Sequence, residues 1–305
     1  MPYTLLQLVQ QVTDEIGIAR PNSVVGNTDQ QVRQLLAFCN KTGRDLVRDF
    51  EWRRLVRENI FETTASRGGT CLVSSANTLT GFASASSLAA TGYLVSGTGI
   101  PAWAEVTVVT ETQLTINVSA TGSASATTSC SFSRQYFDLP AGFDRQVSRT
   151  QWDRSDRWAM SGPKSSQEWQ WLKGGIVSTG PVYRYRIFGN RFKVHPAPGA
   201  RLILANEFVS NQWISTTTAA DPTLSSFAAD TDLMIYPDDV MVNGVKYHWY
   251  KTKGLDWEMP LAEFSRSLSY AKAQDQPAQN LSLAPQPRNL LIGIDQVQDG
   301  NFPSS

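Results

Sequence analysis

Two histidines, His195 and His248, are the residues of this sequence best suited to move protons near neutral pH. Neither has a nucleophile or a metal-ligand pattern beside it: His195 closes the run Arg184-Tyr-Arg-Ile-Phe-Gly-Asn-Arg-Phe-Lys-Val-His, and His248 falls in a helical pattern. The chain contains no G-x-S-x-G, G-x-G-x-x-G, P-loop or H-E-x-x-H. The pairs Asp230/Asp232 and Asp238/Asp239 read as turn and helix N-terminal residues and not as an acid/base pair. Cys39, Cys71 and Cys130 lack metal-ligand spacing, which points to a reducing compartment and structural thiols. An enzyme is therefore not expected, nor a catalytic residue, a bound metal or a cofactor.

What remains is the chemistry of contact. Arg44 and Arg48 lie along one predicted helix face with Arg53 and Arg54 near its end, and Arg184, Arg186 and Lys193 alternate along a predicted strand pair. Such arrays are either solvated faces or contact faces for acidic surface or phosphate. The formal net charge of zero argues against a general nucleic-acid binder but hides a division. Residues 145–201 hold 11 Lys/Arg against 3 Asp/Glu, whereas 202–305 hold 6 against 12. These charges neutralise one another within a subunit, or they mark two complementary patches of a head-to-tail contact. Trp152, Trp158, Trp169 and Trp171 are either packing and interface residues or a stacking platform for sugars or bases.

The element that must position the second basic array is a hairpin. Residue types alternate with period 2 on either side of Gly189-Asn190, which sets Ile187 opposite Phe192 and Tyr185 opposite Val194. Tyr183, Tyr185, Ile187, Phe192 and Val194 then share a face that can be buried. Arg184, Arg186, Arg191, Lys193 and His195 share the other. Pro196-Ala-Pro-Gly199 makes a further turn, and 201–209 is expected to add a third strand to an antiparallel meander spanning 181–213.

Helices are expected in pairs at both ends, over 4–18, 28–51, 238–254 and 256–274, with capping boxes at Thr4-Leu-Leu-Gln7 and Thr28-Asp-Gln-Gln31. Between 68 and 133 only Glu105 and Glu111 are charged, amid many Ser, Thr, Ala and Gly. Strand candidates at 70–73, 93–96, 105–110, 113–118 and 127–132 make residues 66–132 an inserted all-β module, with Cys71 and Cys130 as neighbours. The host body is then 1–65 plus 133–275, and 276–305 is an extended tail. Leu290, Leu291, Ile292 and Ile294 in that tail are too apolar to stay solvated, and are expected to add a strand to their own subunit or to a partner. No targeting signal or membrane span is expected. The fold class is α+β: a helical body from both chain ends, an antiparallel β middle and the inserted module.

This order resembles the head-to-tail adaptor (connector, or head-completion) proteins of short-tailed bacteriophages, the tail tubular protein A type. The resemblance rests on Thr4-Leu-Leu-Gln-Leu-Val with Asp29-Gln-Gln-Val-Arg-Gln-Leu-Leu, and on the hairpin Tyr185-Arg-Ile-Phe-Gly-Asn-Arg-Phe-Lys-Val-His-Pro-Ala-Pro. Glu207-Phe-Val-Ser with Trp213, and Asp230-Thr-Asp with Lys253-Gly-Leu-Asp, extend it over nearly the whole chain except 66–132. It implies a structural virion protein at the head–tail junction, assembled in the host cytoplasm as a ring, usually of twelve copies. Its implied partners are the portal protein, tail nozzle or tail fibre proteins, and phage DNA passing through without sequence specificity. A carbohydrate- or receptor-binding tail component is the alternative, and a wall-degrading phage enzyme a third reading.

Overall fold

The first helix, α1 (Leu5–Ile16), begins where the sequence supplies a reciprocal cap. Gln7 N donates to Thr4 Oγ1 and Thr4 N to Gln7 Oε1, and Gly17 ends the helix with a φ of 73°. Helix α2 (Gln30–Asp49) starts one residue later than its apparent capping box predicts. Asp29, not Thr28, is the N-cap, accepting from Gln31 N at 2.9 Å. The helix ends before Arg53 and Arg54, which form a separate 3-10 turn, Arg53–Leu55. A single turn, α3 (Ala85–Leu88), a short α4 (Ser166–Lys173), and the final pair α5 (Asp238–Lys253) and α6 (Glu258–Asp275) complete the helices. The computed structural model describes residues 2–75, 77–101, 103–121, 127–173, 182–216 and 221–275. The 276–305 tail, with Leu290, Leu291, Ile292 and Ile294, lies outside the described residues.

Helices from both ends of the chain share one core. Leu5, Leu8 and Val12 of α1, Leu35 and Leu46 of α2, and Met241 and Val245 of α5 are all fully buried together around Trp213, with Ala271 of α6 at its edge. Each such aliphatic side chain contributes roughly 1.5–3 kcal/mol by leaving water. The N-terminal segment is also stitched directly to the C-terminal half. Val24 N and Val25 N donate to the Asp230 carboxylate, and Leu5 N donates to Asp232 O.

Two antiparallel sheets pack face to face beside the helices. The longer runs Val56–Glu62, Ile203–Ser210, Trp152–Asp153, Trp158–Ala159, with Phe143–Gln146 also paired to Ile203–Ser210. The shorter contains Arg184–Phe188, Arg191–His195 and Tyr136–Asp138. The hairpin has the register its alternation predicts, Tyr185 opposite Val194 and Ile187 opposite Phe192, and Gly189 and Asn190 take φ of 59° and 57°, as a type I′ turn requires. The expected third strand forms, but it is not the hairpin's neighbour. It pairs along its length with Val56–Glu62, the strand that follows α2. The interior between the sheets is Tyr185, Phe192, Val194 and Phe137 against Leu204 and Phe61, with Phe61 meeting Phe137 and Phe192 at ring distances of 5.1 and 5.6 Å.

Residues 67–133 form a closed six-stranded barrel. Arg67–Ser75, Thr78–Thr80, Leu114–Ile116, Ala104–Val109, Leu94–Gly97 and Thr127–Ser133 pair in that order, and the last returns to the first. Closure leaves no strand edge, which is how a chain so poor in charge avoids templating other chains. The barrel has its own core, including Leu79, Val106, Leu114, Ile116 and Phe132. Cys71 and Cys130 both point into it from adjacent strands, free and buried. Thr78–Thr80 and the α3 turn are additions that the sequence pattern does not show.

Candidate anion-binding surface

The outer face of the hairpin sheet gathers the basic side chains. In register across its three strands stand Arg184 and His195, then Arg186, Lys193 and Tyr136, then Phe188, Arg191 and Asp138. The end nearest the turn is open: Phe188 is 56% exposed, with the Arg186 guanidinium 5.1 Å and the Lys193 ammonium 4.9 Å from its ring centre. Lys193 also lies 4.3 Å over Tyr136. Burial lowers the Lys193 pKa. Glu105 opposes that shift, while Lys173, Arg186 and Arg191 add to it. Arg191 has a loose contact with Asp138 at 3.9 Å, and Arg186 donates to Ser166 Oγ of α4 at 2.7 Å. The surface is a cluster of cations around exposed aromatic area, a pattern that receives carboxylates or phosphates.

The far end of the same face is covered by the barrel. Trp103 stacks on His195 at 4.6 Å with an interplanar angle of 26°, and Trp169 of α4 meets the same imidazole edge-on at 6.3 Å. Lys173 lies 5.4 Å over Trp103, and Tyr136 donates its hydroxyl proton to Glu105. His195, which the alternation puts on a polar face, is thus 95% buried in a seam, and neither ring nitrogen has a hydrogen-bond partner among the described residues. Burial, with the nearby Arg184, pushes its pKa down to about 4, so the ring is neutral at pH 7. Gly92 is required beside the seam: at its φ of 90° an added Cβ would come within 2.6 Å of the Tyr136 ring.

Arg44 and Arg48 project to solvent from α2, while Asp45 and Asp49, each the next residue along, face His248 and Lys272. His248 is itself neutral at pH 7, because burial and Lys41 depress it to about 4. Arg53 offers its backbone N–H to Asp275, and Arg54 reaches the Ile235 carbonyl at 3.4 Å. These four arginines belong to the helical body and the hairpin cations to the sandwich, so the structure does not merge them into one site. The residues that complete the hairpin surface but went unidentified, Trp103, Glu105 and Tyr136, come from the barrel and its exit. Only their three-dimensional placement reveals them; Phe188 alone had a local signal, its position beside the turn.

The tryptophans do not form a platform. Trp169 is buried, Trp171 stands exposed on α4, and Trp152 and Trp158 sit on adjacent strands at positions of opposite facing. Among the described residues no three His, Cys, Asp or Glu side chains cluster as metal ligands, and no helix is long and apolar enough to cross a membrane. Burial pushes the Cys39 thiol up to about 12. Asp230 and Asp232 accept from backbone N–H groups of turns, and Asp238 and Asp239 open α5, as turn and helix-start residues do. Comparison with models of known protein families finds no match to this chain, and comparison with curated proteins finds none.

Proposed function

We propose that this chain is a structural virion protein, a ring-forming adaptor that joins the capsid portal to the tail of a short-tailed phage and encloses the path of the exiting DNA. The observation that carries this reading is the shared core of α1, α2, α5 and α6, in which both chain ends meet in one helical body. The sheet sandwich and barrel then extend from that body as separate packing units. A helical body with a strand-rich middle is what the adaptor resemblance carried by the Thr4, Asp29 and Tyr185 motifs implies; the barrel of residues 67–133 departs from that plan. The helical body supplies the portal-facing surface, with Arg44 and Arg48 exposed upon it, and tail components attach elsewhere on the ring. The working location is the head–tail junction of the virion.

Electron microscopy of the purified chain, alone and with its portal protein, tests the reading. Closed rings stacked coaxially on the portal are the expected result. Monomers that ignore the portal but bind host polysaccharide would replace the adaptor with a receptor-binding tail component.

A further inference from the structure

The two outer faces of the sheet sandwich differ in charge: Arg186, Arg191 and Lys193 stand on one, and Glu58, Glu62 and Glu207 on the other. Cross-strand neighbours of like charge are unfavourable, and among the described registers only two such pairs stand directly opposite one another. One is Arg186 with Lys193 on the outer face of the hairpin sheet. The other is Glu58 with Glu207 on the outer face of the long sheet. Period-2 alternation fixes these positions. Phe61 and Leu204 point inward, so Glu58, Ile60 and Glu207 point outward; Tyr185 and Phe192 point inward, so Arg186 and Lys193 point outward on the opposite side. Both faces also leave apolar area in water: Phe188 on the basic side, and Ile60, Ile203 and Trp152, 41–51% exposed, on the acidic side. Arg154 pairs with Glu58 and Arg201 with Glu62, while Glu207 has no basic partner among the described residues.

We propose that the basic face of the hairpin sheet docks on the acid-bearing outer face of the long sheet in a second copy of this chain. The inference rests on the ring reading and names its contact. Two complementary patches on opposite sides of one subunit make a heterologous interface, which propagates head to tail and closes when the rotation per step divides a full turn. The Arg186–Lys193 repulsion is relieved when Glu207 and Glu58 face it, with Glu58 shared between Arg154 of its own subunit and the incoming cations. Phe188 meets the Ile60–Trp152 surface between them.

The test is a charge exchange. In R186E/K193E both faces are acidic, and in E58K/E207K both are basic, so each variant alone should remain monomeric where the wild type forms rings. Mixed in equal amounts they should recover rings, now with an even number of subunits that alternate. The neutral pairs R186Q/K193Q and E58Q/E207Q, gentler on folding, should weaken assembly without recovery on mixing. Ring formation by either reversed variant alone, or no recovery from two variants that each melt cooperatively, would overturn the contact and leave the ring reading intact. A wild type that stays monomeric at every salt concentration, with and without portal, would overturn both.

Discussion

Gly43 is the tightest point of the helical core. A methyl group there would sit 2.2 Å from the Trp213 ring, which also lies against Phe227 and Tyr236. Mid-helix Gly→Ala ordinarily gains up to about 1 kcal/mol, but overpacking costs about 1–3 kcal/mol. Gly43→Ala should therefore destabilise the chain by roughly 1–2 kcal/mol, read as a lower urea midpoint at unchanged slope. His195 sets a second expectation. Its pKa in the folded chain is about 4, below the ordinary 6.5, so the unfolded chain binds the extra proton first. Stability is then complete above pH 6.5 and declines as the pH falls from 6.5 towards 4. His248 acts in the same window and the same direction. His195→Phe keeps a ring against Trp103, and should flatten the acid limb of melting temperature against pH relative to the wild type; an identical limb would show that the seam does not govern it. The sequence places His195 correctly on the face but not its burial, because the tryptophan that covers it lies 92 positions earlier in the chain.

Among elements, the barrel is the clearest test of independence. Arg67 is paired with Phe132, so its two ends are one strand spacing apart, about 5 Å. Replacing the barrel by a short Gly/Ser bridge between Arg67 and Arg134 should leave a chain with a single cooperative thermal transition. Its melting temperature should be lower, because Tyr136 and His195 become exposed. A product without cooperative melting would show that the barrel belongs to the host core. The hairpin was legible to the residue because alternation and the Gly-Asn turn are local signals, and the Thr4 cap was legible for the same reason. The partner of Ile203–Ser210 was not. Any alternating strand can pair with any other, and this one passes over the adjacent hairpin for a strand near the chain's start. At the start of α2, Thr28 and Asp29 both suit a cap, and the sequence does not choose between adjacent candidates.

At the scale of the whole molecule, the shared core between the chain ends is supplemented by one carboxylate that pins the entry to α2. The Asp230 carboxylate accepts from Val25 N at 2.7 Å and from Val24 N at 3.1 Å, more than two hundred positions away in sequence. Hydrogen bonds to a charged group contribute about 1.5–3 kcal/mol, so Asp230→Ala should cost about 2 kcal/mol and loosen the entry to α2. Hydrogen exchange reads this directly: the amides of Val24 and Val25 should lose protection more than those of the barrel. That both helix pairs carry apolar stripes is plain in the sequence. Which stripe meets which is not, since a stripe specifies burial and not its partner.

The pairing of Val56–Glu62 with Ile203–Ser210 has a consequence for biosynthesis. The long sheet cannot close until its second strand has left the ribosome, about 140 residues after the first. The barrel occupies about half of that interval, and its own pairings need nothing beyond Ser133. It is therefore complete while the host sheet is still waiting, and once folded it draws Arg67 and Ser133 together. Halving the loop to be closed lowers the entropy barrier by about 0.6 kcal/mol, about a threefold gain in rate. The same edge-free barrel keeps the nascent chain's most uncharged stretch out of reach of neighbouring chains while the sheet around it is unfinished.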